Sequence, residues 1–227
     1  MFVHLPSRRK PTPPWATLLI VAACVGVFLW LATMPAPDRL ALLTRWGTVP
    51  STLLDVSAPW LQQITELRAA RLITAIFIHA DWLHLTGNLL FLIVFGVSAE
   101  RALGSTRFLA LFVFGGALAN LVGALTLAGT SAPIIGSSGA VSTIVGAYLG
   151  LFPRARLGLV LPLGVFLEFV RIPASLLIGF WAALQLLFTY VGPAFGAVAW
   201  WTHIAGFLVG IGFALLSRTA VARRLRG

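Results

Sequence analysis

The amino-acid sequence predicts an all-α polytopic membrane protein, a bundle of six transmembrane helices, on three observations. Of 227 residues, 59% are hydrophobic and only 10% charged, and the mean hydropathy is +0.97; a soluble domain with one apolar face per helix does not reach such values. The apolar residues fall into six runs, each near the ~20 residues that a helix needs to cross ~30 Å of hydrocarbon. The formal net charge is +10, but the basic residues come in short clusters between those runs. That is the pattern of topology signals and not of a nucleic-acid surface, so no nucleic-acid partner is expected.

The first run, 15–36, follows Pro13 and Pro14 and ends at Pro35 and Pro37, residues that punctuate helices because they lack an N–H donor. Arg8, Arg9 and Lys10 precede it, and its end shows no small-x-small cleavage pattern, so no cleavable signal is expected. The connection over 37–71 is long and holds Trp46 and Trp60 with Arg39, Arg45, Arg68, Arg71, Asp38, Asp55 and Glu66. That mixture suits a partly embedded structure in the membrane interface. The second run spans 72–99, and Arg101 and Arg107 separate it from the third, 108–129. The fourth, 135–152, is short and bounded by Pro133 and Pro153. Arg154, Arg156 and Arg171 follow it; Pro173 opens the fifth, 172–192; the sixth is 198–217. Arg218, Arg223, Arg224 and Arg226 close the chain. With these clusters kept on one side, both termini are expected to be cytoplasmic, and the expected location is the cell (inner) membrane. The expected plan is a cytoplasmic tail 1–14, a six-span membrane domain 15–217 with an outer loop 37–71, and a basic cytoplasmic tail 218–227. Cys24 is the single cysteine, which excludes an intramolecular disulfide.

Polar residues inside these runs carry the functional signal, since intramembrane ionisable groups are rare and tend to be functional. Ser138 lies early in the fourth run and His203 early in the sixth. His84 and Asn88 are four apart in the second, hence on one helical face. Runs two, four and six all cross from the outside inward, so these four residues share an outer depth. At 1.5 Å per residue, Ser138 is expected roughly 5–10 Å below the outer boundary. A hydroxyl, a base and further polar side chains at one depth make the core of an acyl-transfer site. Gly139, Ser142 or Thr143, Gly146 and Gly150 in run four, with Gly206 and Gly210 in run six, form the small-residue stripes that let helix backbones meet in lipid. The spacing puts His203, Gly206 and Gly210 on one face, so close packing would aim the imidazole across the seam. His79 and Asp81, nearer the boundary, read as structural or solvated. Asp81, Glu100 and Glu168 are the acids near the spans, and none is placed to complete a Ser-His-Asp triad, so a dyad is expected. His79, His84 and His203 have no cysteine or carboxylate at ligand spacing, so neither a metal nor a cofactor is expected.

These motifs resemble the rhomboid family of intramembrane serine proteases. Ile135-Gly136-Ser137-Ser138-Gly139-Ala140 looks like its G-x-S-G signature, His79 through Asn88 like its H-x4-H-x3-N segment, and Trp201-Thr202-His203-Ile204-Ala205-Gly206 like its sixth-span histidine signature. The likeness covers about 68–217 and includes Glu100-Arg101-x-x-Gly104 and Phe152-Pro153-Arg154-Ala155-Arg156, patterns common in bacterial members. It implies Ser138 as nucleophile and His203 as general base and acid. His84, Asn88 and the Ser138 backbone N–H would form the oxyanion hole, and the substrates would be transmembrane segments of other proteins in the bilayer. Two positions depart from the family pattern. Ala70 stands where a tryptophan precedes Arg71, and Ser142 stands where many members carry an aromatic residue four positions after the nucleophile. The alternative is a catalytically silent member that binds membrane clients. A transporter is less consistent, for want of inverted repeats or paired broken helices.

Overall fold

The computed structural model describes residues 13–53, 55, 57, 59, 68–163, 166–191 and 199–226. The Arg8, Arg9 and Lys10 cluster, Trp60, Glu66 and the expected connection 192–198 lie outside the described residues. Helix α1 is Trp15–Ala32, α2 is Ala36–Trp46, and α3 is the single turn Pro50–Leu53. The one-turn α4, Arg71–Thr74, is flanked by the 3₁₀ turns Arg68–Ala70 and Ala75–Phe77. Five long helical runs follow as α5 (Trp82–Leu103), α6 (Ser105–Thr126), α7 (Ser138–Leu151), α8 (Ala174–Val191) and α9 (Trp200–Arg226). Residues Leu92–Gly96 within α5 take π-helical geometry.

Thus α1, α5, α6, α7, α8 and α9 occupy the six apolar runs of the sequence. Five of them are long and apolar enough to cross a membrane; α7, with 14 residues, is shorter and about 21 Å long at 1.5 Å per residue. The expected boundaries shift for local reasons. Helix α5 opens at Trp82 and not at 72, because Asp81 is extended (φ −152°, ψ 173°) and its carboxylate accepts from His84 N, the geometry of an N-cap. Helix α7 opens at Ser138 and not at 135, because Gly136 takes φ +112°, outside the helical region. Helix α9 runs on through Arg226, so residues 218–226 of the expected tail continue that helix.

Between α7 and α8 the helical class has an addition. Strands β1 (Arg156–Leu163) and β2 (Phe166–Pro173) pair antiparallel from Arg156↔Pro173 to Leu163↔Phe166. Hydropathy reads this stretch as a charged connection, yet it is rich in Leu, Val, Ile and Phe and interrupted by Gly158 and Pro162, a composition that favours strands over a helix.

Helix α7 sits at the centre. A Cβ added at Gly206 would collide with the Gly139 carbonyl oxygen, one at Gly210 with the Thr143 carbonyl oxygen, and one at Gly150 would lie 2.6 Å from Ala214 Cβ. These pairs advance together along both chains, so α7 and α9 run parallel with their backbones in contact. Helix α6 approaches α7 as closely: a Cβ at Gly116 would approach Ala140 Cβ to 2.6 Å, and one at Gly115 would reach Thr143 Cγ2 at 2.5 Å. The expected α7–α9 stripe is therefore present, with Thr143 and not Ser142 in the seam. A second glycine face, on α6, packs against the same helix. Without a hydrophobic driving force between helices in lipid, such close backbone approach supplies the dispersion contacts that hold them together. At the far end of α7, Tyr148 is fully buried with its ring 5.1 Å from Phe95 and 5.1 Å from Phe152.

A buried carboxylate joins α5 to α1. Glu100 accepts from Ala16 N (2.9 Å), Thr17 N (2.8 Å) and Thr17 Oγ1 (2.6 Å). Helix α1 has only Pro14 before it and no side-chain cap of its own. Glu100 therefore satisfies the free N–H groups at the start of α1 from another helix, where a negative charge also complements the helix dipole.

Candidate active site

The segment leading into α7 is held on three sides. Thr48 and Ile134 exchange backbone hydrogen bonds of 3.0 and 2.8 Å, and Gly136 N donates to Ala75 O at 2.9 Å. Ser137 Oγ is 3.1 Å from His79 Nε2. Both Ser137 and His79 are fully buried, so the expected structural role of His79 is that of a clamp on this turn. The first loop is fastened at the same end: Arg68 Nη1 donates to Thr52 O (2.8 Å), Arg71 Nη1 to Thr52 Oγ1 (3.2 Å), and Thr48 Oγ1 to Arg71 O (3.0 Å). Two arginines converging on Thr52 tie this loop down although Ala70 offers no indole.

The turn presents Ser138 as the first residue of α7. Val141 N donates to Ser137 O at 2.8 Å and so begins the helical ladder; the N–H groups of Ser138, Gly139 and Ala140 before it have no carbonyl of that ladder to bond. Across the seam, His203 stands in the first turn of α9, and its Nε2 is 2.9 Å from Ser138 Oγ. Gly139, one residue after Ser138, and Gly206, three after His203, meet in the seam and bring the two side chains within reach. His203 Nδ1 is 2.6 Å from Gln185 Oε1 of α8, and the Trp200 ring meets the imidazole edge-on at 5.7 Å.

Two adjacent serines thus each meet a histidine, and access separates the two pairs. Ser138 and His203 line a cavity of ≈ 560 Å³ whose walls also include His84, Gly87, Asn88, Phe91, Ser142, Trp181 and Gln185. Ser137 and His79 do not border it. The volume falls in the range of small-molecule and cofactor sites. Asn88 Nδ2 donates to His84 O at 2.9 Å, and the His84 imidazole lies against Gly136, where an added Cβ would fall 2.5 Å from its Nε2. A side chain at 136 would therefore displace His84, a second reason for glycine there besides its positive φ. Ser142 bonds its own helix, Oγ to Ser138 O at 2.7 Å. All four polar residues expected at one depth, Ser138, His203, His84 and Asn88, meet at this cavity. Gln185 joins them without having been singled out in the sequence. Its one signal there is a lone amide within Ala182-Ala183-Leu184-Gln185-Leu186-Leu187.

A helical membrane bundle with a hydrogen-bonded serine and histidine on an internal cavity is the class that fold and site define. Residues 66–219 match the Rhomboid domain family, and the chain belongs to that family. It is 30% identical over 166 residues to RHOMBOID-like protein 5 of Arabidopsis thaliana, covering 63% of this chain and 54% of that protein. To Rhomboid-related protein 3 of Homo sapiens it is 38% identical over 139 residues, 60% of this chain and 32% of the relative. To Presenilin-associated rhomboid-like protein A, mitochondrial, of Danio rerio it is 31% identical over 99 residues, 43% of this chain and 26% of the relative. The chain therefore spans about half or less of the length of these relatives.

Proposed function

We propose that this chain is an intramembrane serine endopeptidase that cleaves transmembrane segments of membrane proteins near the extracytoplasmic face, with Ser138 and His203 as its dyad. The observation that carries the proposal is the 2.9 Å contact between Ser138 Oγ and His203 Nε2 on the wall of an accessible cavity, within hydrogen-bond reach for a nucleophile and its base. His203 takes the Ser138 proton as Oγ attacks the peptide carbonyl, then returns it to the leaving amine; water releases the acyl enzyme. The developing oxyanion is met by the Ser138 N–H at the positive end of α7 and by the side chains of His84 and Asn88. A helical substrate hides its carbonyls in its own hydrogen bonds, so it unwinds locally before cleavage. The basic clusters support an orientation with both termini cytoplasmic, which sets the cavity toward the outer leaflet.

Activity-based labelling with a fluorophosphonate, read beside cleavage of a transmembrane reporter, tests this directly. Wild type labels and cleaves; Ser138→Ala does neither; His203→Ala folds but neither labels nor turns over at a measurable rate. Ser137→Ala, which alters the buried pair away from the cavity, retains labelling. Absence of labelling in the folded wild-type protein would instead mark a member that binds clients without cutting them.

A further inference from the structure

Helix α8 sends one buried polar side chain into the site. Gln185 is 9% exposed, and its Oε1 lies 2.6 Å from His203 Nδ1 while His203 Nε2 lies 2.9 Å from Ser138 Oγ. We propose that Gln185 is a positioning residue for the base, an uncharged third member that fixes the tautomer and ring plane of His203. The assignment rests on the hydrolytic reading given above.

A neutral imidazole carries one proton, and whichever nitrogen holds it is a donor while the other is an acceptor. For His203 to take the serine proton, Nε2 must present its lone pair, so the hydrogen must sit on Nδ1 and needs an acceptor there. The amide oxygen of Gln185 is that acceptor. With the amide reversed, its NH₂ would donate to Nδ1, the hydrogen would move to Nε2, and the base would be lost. As the imidazolium forms, the same oxygen dipole stabilises the charge on Nδ1–H. A carboxylate would do so more strongly but at a high desolvation cost inside a membrane bundle. The ring is thereby held at both nitrogens, from α7 and from α8, with Trp200 against its edge. Helix α7 offers no aromatic platform, because Ser142 occupies the position one turn after the nucleophile and bonds its own backbone.

The test separates an acceptor from a packing residue. Gln185→Met keeps chain length and bulk but supplies only a weak sulfur acceptor; Gln185→Glu restores an oxygen. Kinetics on a transmembrane reporter, fluorophosphonate labelling rates and melting in detergent are measured for both, with Gln185→Leu as a second non-accepting variant. The expected result is a loss of about 10–100-fold in kcat for Met and Leu, as for partners that orient ligating histidines. Labelling slows in parallel, KM is unchanged, melting falls by no more than the loss of one hydrogen bond explains, and Glu recovers most of the lost kcat. Wild-type kcat in the Met variant overturns the assignment, and so does an equal loss in Met and Glu, which would mark packing. If wild type itself fails to label, the hydrolytic reading fails instead; a labelled wild type with an indistinguishable Met variant rejects the role of Gln185 alone.

Discussion

Replacing Gly206 by alanine adds one methyl group at the point where Ser138 and His203 are brought together. Its Cβ would collide with the Gly139 carbonyl oxygen, and would lie 3.1 Å from that carbonyl carbon and 3.0 Å from Thr143 Oγ1. The obstacle is mainly backbone, one residue beyond Ser138, so no rotamer change relieves it. Helix α9 must move away from α7. Restoring ordinary contact requires a separation of roughly 1 Å, and a misplacement of that size at a reacting pair costs about 10²-fold in rate. It would stretch the 2.9 Å Ser138–His203 contact beyond ~3.5 Å, where a hydrogen bond no longer holds. Overpacking of a tight interface also typically costs about 1–3 kcal/mol of stability. The expected outcome for Gly206→Ala is a lowered melting temperature in detergent with turnover and fluorophosphonate labelling down together. Gly206→Leu and Gly210→Leu do so more severely. Unchanged melting with unchanged turnover would refute the backbone contact; lowered melting with full activity would keep the contact and refute its role in aligning the pair.

Two further outcomes follow from neighbouring contacts. Asn88→Ala is expected to lower kcat more than it raises KM, because an oxyanion donor acts on a charge that exists only after attack; one such donor is typically worth roughly 2.7–4 kcal/mol, and His84 and the Ser138 N–H offset part of it. A raised KM at constant kcat would assign Asn88 to substrate docking or to its bond with His84 O. Glu100→Gln turns one carboxylate oxygen into an NH₂ that faces the N–H groups of Ala16 and Thr17. Losing a hydrogen bond to a charged group costs about 1.5–3 kcal/mol, so melting falls while the kcat of the folded fraction is unchanged. Equal melting of Glu100→Gln and wild type would show that α1 does not depend on this cap.

Hydropathy and glycine spacing made the bundle legible because both are properties of single helices in lipid. A run of apolar residues announces its own burial, and a small-residue stripe announces which face can approach a neighbour. Gly139, Gly206 and Gly210 were read on that basis, and the seam they form aligns Ser138 with His203. What the sequence hid depends on partners distant in the chain. Gln185 is one amide in an apolar helix, and only the approach of α8 to α9 gives it an imidazole to bond. Glu100 reads as an acid at a span end; its capping of Ala16 and Thr17 needs α1 beside α5, 83 and 84 residues away. Hydropathy alone places the starts of α5 and α7 too early, because it continues through the turns at Asp81 and Gly136. The β1–β2 hairpin escaped because its apolar content was interpreted against neighbouring arginines as a connection.

The site is divided between a stiff wall and a loosely packed one. Ser138 and His203 stand on α7 and α9, whose backbones touch through glycines, and α7 is clamped again by Gly115 and Gly116 of α6. Their backbones cannot separate or approach without moving a whole helix, as the proposed dyad would require of a pair that must keep its distance. The opposite wall is built from side chains: Phe91 of α5 meets Trp181 of α8 at 6.3 Å, and Trp181 meets Phe207 of α9 at 5.8 Å. Among the described residues α8 buries only Ala174, Ile178 and Gln185, whereas α6 buries nine, so displacing α8 sacrifices fewer contacts within the bundle. Gln185 rides on that helix, and its reach to His203 Nδ1 therefore depends on α8 being docked. Ser138 and His203 are thus set by backbone packing, while the second contact of the imidazole, to Gln185, comes from α8.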